Sequence, residues 1–153
     1  MSRQCTWEPM RKLLLSAPPD RSLSWRETEL LALDLETTGL DAKKNHIVSM
    51  GWVIIRDGKI QMDQAGHLVI QSDRPMNQSA TIHGIFDNEI ARGISIEAAL
   101  EELLGMLHGR ALVLHHAPLD LAFLNEAYKL ACGQKLLVPT IDTMALEKAR
   151  LDR

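Results

Sequence analysis

Regular alternation of apolar and polar positions opens at Leu30. Leu31, Leu33 and Leu35 fall on one side of an extended chain and Ala32, Asp34 and Glu36 on the other, so residues 30–37 predict a strand. Residues 46–56, rich in Ile, Val, Met and Trp, predict a second strand. Asp57-Gly58 suits the two positive-φ positions of a tight hairpin turn, and residues 59–71 return as the antiparallel partner. Residues 72–94 are polar and broken by Pro75, Gly84 and Gly93, with one helical turn around 81–83. Ser95 can cap a helix in which Ile96, Ala99, Leu100, Leu103, Leu104 and Leu107 form one apolar stripe. Gly109 ends that helix. Residues 111–114 predict a short buried strand, and Pro118 suits the first turn of a helix that runs to about Cys132 and stops at Gly133. On its inner face belong Phe123, Ala127, Leu130 and Ala131, which leaves Asn125 for other roles. Residues 138–141 predict a last strand, and Asp142 caps a helix still running at Arg153.

The order is therefore β-β-β-α-β-α-β-α. A meander followed by strand–helix alternation implies an α/β fold, a mixed five-stranded sheet flanked by helices. Ahead of it, residues 1–29 read as an N-terminal extension. Trp7 to Leu15 can form one short helix, ended by Pro18-Pro19, and a turn can hold Trp25. This extension is either a packing arm or a docking segment for a partner.

Composition narrows the class. The chain has 153 residues, 46% hydrophobic and 24% charged, which excludes a disordered tail, a fibre and a coiled-coil rod. No run of eighteen apolar residues marks a membrane span, and Leu13-Leu14-Leu15 is too short for a signal peptide, so no membrane partner is expected. Cys5 and Cys132 lie far apart, and a reduced cytoplasm is the simple reading. The net charge of −3 leaves no global basic footprint, so any nucleic-acid contact must be local.

Asp34 and Glu36 carry the candidate chemistry. Two residues along a strand span roughly 6.6 Å, so both carboxylates can converge on one point. On a central, mostly buried strand two like charges repel and lose solvation. A hard divalent cation resolves this, because Mg²⁺ takes one or two carboxylates together with substrate phosphate. Thr37 and Thr38 offer hydroxyl and amide donors beside it, and Gly39 allows a tight turn. Two solvated acids at a strand end would show the same spacing.

The longer run Leu33-Asp34-Leu35-Glu36-Thr37-Thr38-Gly39-Leu40 resembles the first motif of the DnaQ-like 3′–5′ exonucleases. These belong to the DEDD superfamily and include the proofreading subunit of bacterial DNA polymerase III. His83-Gly84-Ile85 resembles the family's H-G-I/L segment, and His115 to Leu124 its second motif, H-N-A-x-F-D-x-x-F-L. Ile141-Asp142-Thr143 resembles its I-D-T segment. The resemblance spans about residues 30–150. It implies a ribonuclease H-like fold and two-metal hydrolysis at a 3′ end, with two Mg²⁺ or Mn²⁺ ions. Asp34 would bridge both ions, Glu36 would bind one, and Asp120 would support the cluster. Alone, Asp120 also reads as an acid favoured in the first turn of a helix. Thr37, Thr38 and Leu40 match the family's substrate-binding positions, with Leu40 as the apolar wedge against the terminal base. His83 either contacts the nucleotide or packs locally. The implied partners are nucleic acid with a free 3′ end, taken as single-stranded, and a DNA polymerase.

Two positions depart from the pattern. His116 replaces the usual Asn and Leu119 the usual aromatic, both near the expected sugar and backbone of the substrate. The third motif, H-x4-D or Y-x3-D, supplies the family's general base and last ligand, and it is not found in this chain. The lone H-x4-D runs from His115 to Asp120, an acid already used by the second motif. The exonuclease domain, residues 30–153, is therefore expected to stop before its final helices, with impaired cleavage. A fragment of a longer exonuclease and a short non-catalytic nucleic-acid or protein interaction module both explain this. An oligoribonuclease-type enzyme is a further alternative.

Overall fold

The computed structural model describes residues 7–71 and 92–152. His83 and its neighbours, and Cys5, lie outside the described residues. The chain enters through helix α1 (Glu8–Leu15). Strands β1 (Leu30–Thr37), β2 (Ile47–Arg56) and β3 (Lys59–Val69) follow. Helix α2 (Ile96–Leu107), strand β4 (Ala111–Leu114), helix α3 (Ala117–Cys132), strand β5 (Thr140–Asp142) and helix α4 (Thr143–Leu151) complete the order. The five strands form one mixed sheet in the order β3-β2-β1-β4-β5. β1 is the centre: it pairs antiparallel with β2 and parallel with β4, while β5 pairs parallel with β4. The α/β architecture expected from the sequence is the one found.

The alternation in β1 does what a period of two demands. Leu31, Leu33 and Leu35 are buried in the core, and Asp34 turns to the opposite, open face. Ser95 accepts a hydrogen bond from the Ala98 amide at 3.2 Å and starts α2, whose Ala99, Leu100, Leu103, Leu104 and Leu107 are all buried. Gly109 adopts φ +71°, the left-handed conformation that closes a helix without a Cβ clash. The hairpin turn Asp57-Gly58 has positive φ at both residues, as the sequence requires.

Several local expectations shift. β5 begins at Thr140 rather than Val138, and its last residue, Asp142, is also the cap of α4. β3 ends at Val69. α1 starts at Glu8, with Trp7 extended ahead of it. α4 ends at Leu151 with Asp152 as its cap. Leu130 does not face the core: it is 86% exposed, while Leu124 and Tyr128 before it and Ala131 and Cys132 after it pack inward. Asn125 is engaged, since its Oδ1 accepts the Leu136 amide at 2.9 Å and ties the loop after α3 to the helix. Cys132 is half-buried rather than buried.

Two features lie outside what the local pattern could announce. Met10 and Leu13 of α1 are buried in the same core as the sheet, and the Trp7 ring lies 6.2 Å from that of Tyr128. Tyr128 is itself buried and donates to the Leu100 carbonyl at 3.1 Å, joining α3 to α2. Just before β1, Glu29 accepts from Arg56 at 2.6 Å and from Arg110 at 2.9 Å. These hydrogen bonds, that of Arg56 foremost, hold the Glu29 carboxyl below the ordinary range. The pair ties the ends of β2 and the α2–β4 turn to the start of the central strand.

Because Met10 is fully enclosed, Met10→Ala should lower unfolding free energy by about 2–4 kcal/mol. Urea denaturation followed by circular dichroism measures this. An unchanged midpoint would mean that α1 is not part of the cooperative unit.

Candidate nuclease site

Parallel pairing of β1 and β4 sends both strands toward the same edge of the sheet. Leu30, Leu31 and Ala32 register with Ala111, Leu112 and Val113, so Asp34 lies on β1 beyond the last paired residue. At that edge β4 ends, His115 and His116 turn the chain, and α3 starts. Asp120, in the first turn of α3, faces back over it. Open α/β sheets bind ligands at such carboxyl edges.

Asp120 is the buried acid of the site, with 9% of its surface accessible. Its carboxyl is pushed up to about 6, first by burial and then by the charge of Asp34; Asp142 adds to the rise, and His116 and His115 oppose it. Burial was expected to fall on the β1 pair. The structure instead leaves Asp34 exposed and Glu36 half-exposed and places the burial cost on Asp120. Asp34 and Asp120 are thus brought within electrostatic reach of one another. Among the described residues no three His, Cys, Asp or Glu side chains gather closely enough to hold an ion unaided, so Glu36 does not complete a ready-made cluster.

The loop after β1 is built from its own polar groups. Thr37 Oγ1 donates to the Gly39 carbonyl at 2.8 Å. The Thr38 amide donates to the His46 carbonyl at 3.0 Å, and Thr38 Oγ1 accepts the His46 amide at 3.1 Å while contacting Asn45 Oδ1 at 3.3 Å. The two threonine hydroxyls and the Thr38 amide are thus engaged in fixing the loop. A Cβ on Gly39 would come within 2.7 Å of the Asn45 side chain, which would have to move, so glycine serves close approach there rather than positive φ. The same loop holds Leu40 out, 80% exposed, beside the acidic edge.

His116 adopts φ 70° and ψ 57°. This left-handed conformation is costly for most residues and easiest for Gly, Asn, Asp and His. The backbone therefore restricts the residue type here, and histidine satisfies the same constraint as the asparagine it replaces.

Asp142 is expected to cap a helix, and with Thr143 it falls in the segment that resembles the family's I-D-T. Asp142 Oδ1 does cap α4, accepting the Met144 amide at 3.0 Å and the Ala145 amide at 3.4 Å. It also accepts the His116 amide at 3.1 Å, across the sheet edge. These hydrogen bonds outweigh burial and lower the carboxyl. Thr143 Oγ1 lies 3.0 Å from His115 Nδ1 and 3.2 Å from the Leu114 carbonyl.

The sequence model of the exonuclease family (RNase_T) matches residues 31–152, which takes in the whole sheet and every helix but α1. The chain belongs to the exonuclease family. DNA polymerase III PolC-type of Thermotoga petrophila is 37% identical over 128 residues, covering 84% of this chain and 9% of that protein. DNA polymerase III subunit epsilon of Haemophilus influenzae is 28% identical over 106 residues, or 65% of this chain and 41% of that one. Among solved structures, Exonuclease X in complex with 5′ overhanging duplex DNA is 26% identical. It superimposes with a TM-score of 0.59 over 78% of this chain and 63% of that one. The chain therefore spans about a tenth of the PolC-type relatives it matches. The fold of this exonuclease domain is ribonuclease H-like, as the DnaQ-like motifs implied.

A raised carboxyl makes stability depend on pH with a definite sign. Folded Asp120 binds its proton up to about pH 6, whereas the unfolded carboxyl releases it near 3.8, so the fold loses stability as pH rises between those values. Asp120→Asn, neutral throughout, should raise the metal-free thermal midpoint above pH 6 by about 2–8 °C, and the gain should vanish below pH 4. Differential scanning calorimetry across pH 3.5–8 checks this. A gain that does not vary with pH would remove the charge explanation.

Proposed function

We propose that this chain forms a metal-dependent 3′–5′ exonuclease site that hydrolyses the terminal phosphodiester of single-stranded DNA and releases 5′-mononucleotides. The observation that carries the reading is the approach of Asp34 and buried Asp120 at the carboxyl edge of two parallel strands, in a chain of the exonuclease family.

The donor set fits the proposed cations. Two carboxylates of like charge, one of them buried, repel without a counter-charge. Mg²⁺ and Mn²⁺ take carboxylate oxygens, and Mg²⁺ commonly takes only one or two together with waters and substrate phosphate. In this reading Asp34, Glu36 and Asp120 hold two such ions. Bound there, paired divalent ions supply an activated water and neutralise charge on the leaving oxygen. The chain's own residues orient the substrate. Leu40 presents an exposed apolar surface to the terminal base, and the self-bonded Thr37–Thr38 loop fixes that leucine in place. In this reading His116 lines the approach of the sugar-phosphate, and His83, outside the described residues, is a substrate contact by family resemblance alone. A general base and a last acidic ligand of the third motif are not found in residues 1–153, so cleavage by these residues alone is weak.

Substrate and partner follow from the relatives. One solved relative is an exonuclease bound to DNA with a 5′ overhang, and the PolC-type and epsilon relatives are DNA polymerase III proteins. DNA with a free 3′ end and a DNA polymerase are the corresponding proposals, with action in the cytoplasm. Among the described residues no helix is long and apolar enough to cross a membrane.

Release of labelled 5′-mononucleotides from single-stranded DNA, mismatched primer ends and short RNA tests the reading. A longer polypeptide carrying this domain and a third motif should cleave DNA in Mg²⁺. Asp34→Ala or Glu36→Ala should abolish that cleavage while leaving the circular dichroism spectrum unchanged. Activity retained at a tenth or more of wild type, on the order of a 1.4 kcal/mol effect, would count against the site. Robust Mg²⁺-dependent release by the 153-residue chain alone would refute the proposed impairment. In the longer polypeptide Leu40→Ala should raise KM more than it lowers kcat, since a wedge acts on binding.

A further inference from the structure

One carboxylate serves two helices at the acidic edge. Asp142 receives the amides of Met144 and Ala145 at the start of α4 and that of His116 at the start of α3, and the neighbouring Ala117 amide adds to the pull on its carboxylate. Orphan amides of a first helical turn are ordinarily satisfied by a cap that belongs to the same helix. α3 has no side-chain cap of its own: its N-cap residue is His116, whose side chain makes no capping bond and whose backbone is left-handed. The acceptor it lacks comes from 26 residues further along the chain. Thr143 adds a second link beside it, through His115 Nδ1 and the Leu114 carbonyl. The turn that leads into Asp120 is thereby held from the β5–α4 junction at two successive residues. The register then passes up α3 through the Leu119 amide, which bonds to the His116 carbonyl at 3.0 Å.

We propose that Asp142 and Thr143 are positioning residues for the metal site: together they clasp the His115–Ala117 turn and so set where Asp120 stands relative to Asp34. This rests on the metal-site reading above. The need for such a clasp is physical. Asp120 is buried near a like charge, which pushes the two acids apart whenever no cation stands between them, and a left-handed turn is an easy place for the backbone to yield. Residues that orient metal ligands commonly cost 10–100-fold in metal affinity when removed. Asp142 does so through backbone amides rather than through a ligand side chain. An Asn at 142 would keep the Oδ1 acceptor, while an Ala would not.

Amide hydrogen exchange and Mn²⁺ titration by electron paramagnetic resonance, on the full 153-residue chain, test the clasp. Asp142→Ala should speed exchange at the amides of 116, 117 and 119 by about tenfold or more. It should weaken Mn²⁺ binding by roughly 10–100-fold. Asp142→Asn should stay within about threefold of wild type in both, because the cap geometry survives without the charge. Thr143→Val leaves the cap in place and should give a smaller loss in both readouts, which keeps the test open if Asp142→Ala does not fold. Unchanged exchange at 117 and 119 in Asp142→Ala would overturn the proposal. So would an Asn variant as impaired as the Ala variant, which would make Asp142 a charge at the ion rather than a cap. An unfolded Ala variant together with a Thr143→Val variant unchanged in both readouts would overturn it as well. A wild-type chain that binds no Mn²⁺ would sink the metal site, and the exchange rates would then decide the clasp alone.

Discussion

β1 and β4 run parallel, and from that pairing the carboxyl edge of the molecule follows. Two parallel neighbours must both end at the same side of the sheet, so an acid on one strand and the first helical turn after the other meet without any long loop. β2 runs against β1 and braces it from the other flank, keeping it central, while β3, antiparallel to β2, again points the same way as β1. The consequence is a concentration of negative charge. Asp34 remains open to solvent, Asp120 is largely covered, and the asymmetry goes with the raised carboxyl of Asp120. A protein that keeps such an arrangement accepts a loss of stability at neutral pH, as functional sites commonly do.

The opposite edge shows the reverse electrostatics. Glu29 lies between Arg56 and Arg110, with every charge partnered and the carboxyl held low. One edge is satisfied by the chain itself, and the other is left to be satisfied by something added. α1 reinforces the satisfied half, placing Met10 and Leu13 against the core through the α2 side. It does so from outside the stretch matched by the family model. Of the two readings open for the extension, a packing arm accounts for this helix. Its neighbours Leu14 and Leu15 remain exposed.

Much of the site was readable from local spacing. The D-x-E pair on an alternating strand, the helix starts at Ser95 and Asp142 and the hairpin at Asp57-Gly58 each depend on groups a few residues apart. What spacing does not reveal is of a different kind. The hydroxyls of Thr37 and Thr38 close a turn onto Gly39, Asn45 and His46. Leu130 is exposed because the buried face of α3 is set by Leu124 and Tyr128, a choice that an apolar sequence with several possible faces does not make. Asp142 looked like an ordinary cap because its second set of donors is 26 residues away.

Sequence by itself determined the elements, their order and the family and singled out the candidate acids, because each follows from side-chain period, capping chemistry or a contiguous motif. Only the tertiary structure decided which acid carries the burden. Burial is a property of what packs above a residue, and α3 folding back over the strand edge buries Asp120 while Asp34 stays open. It also decided the long-range pairs, since Glu29 with Arg110 at one edge and Asp142 with His116 at the other meet from distant points in the chain. Long-range pairing of this sort depends on strand register and crossover, and neither leaves a mark in local composition.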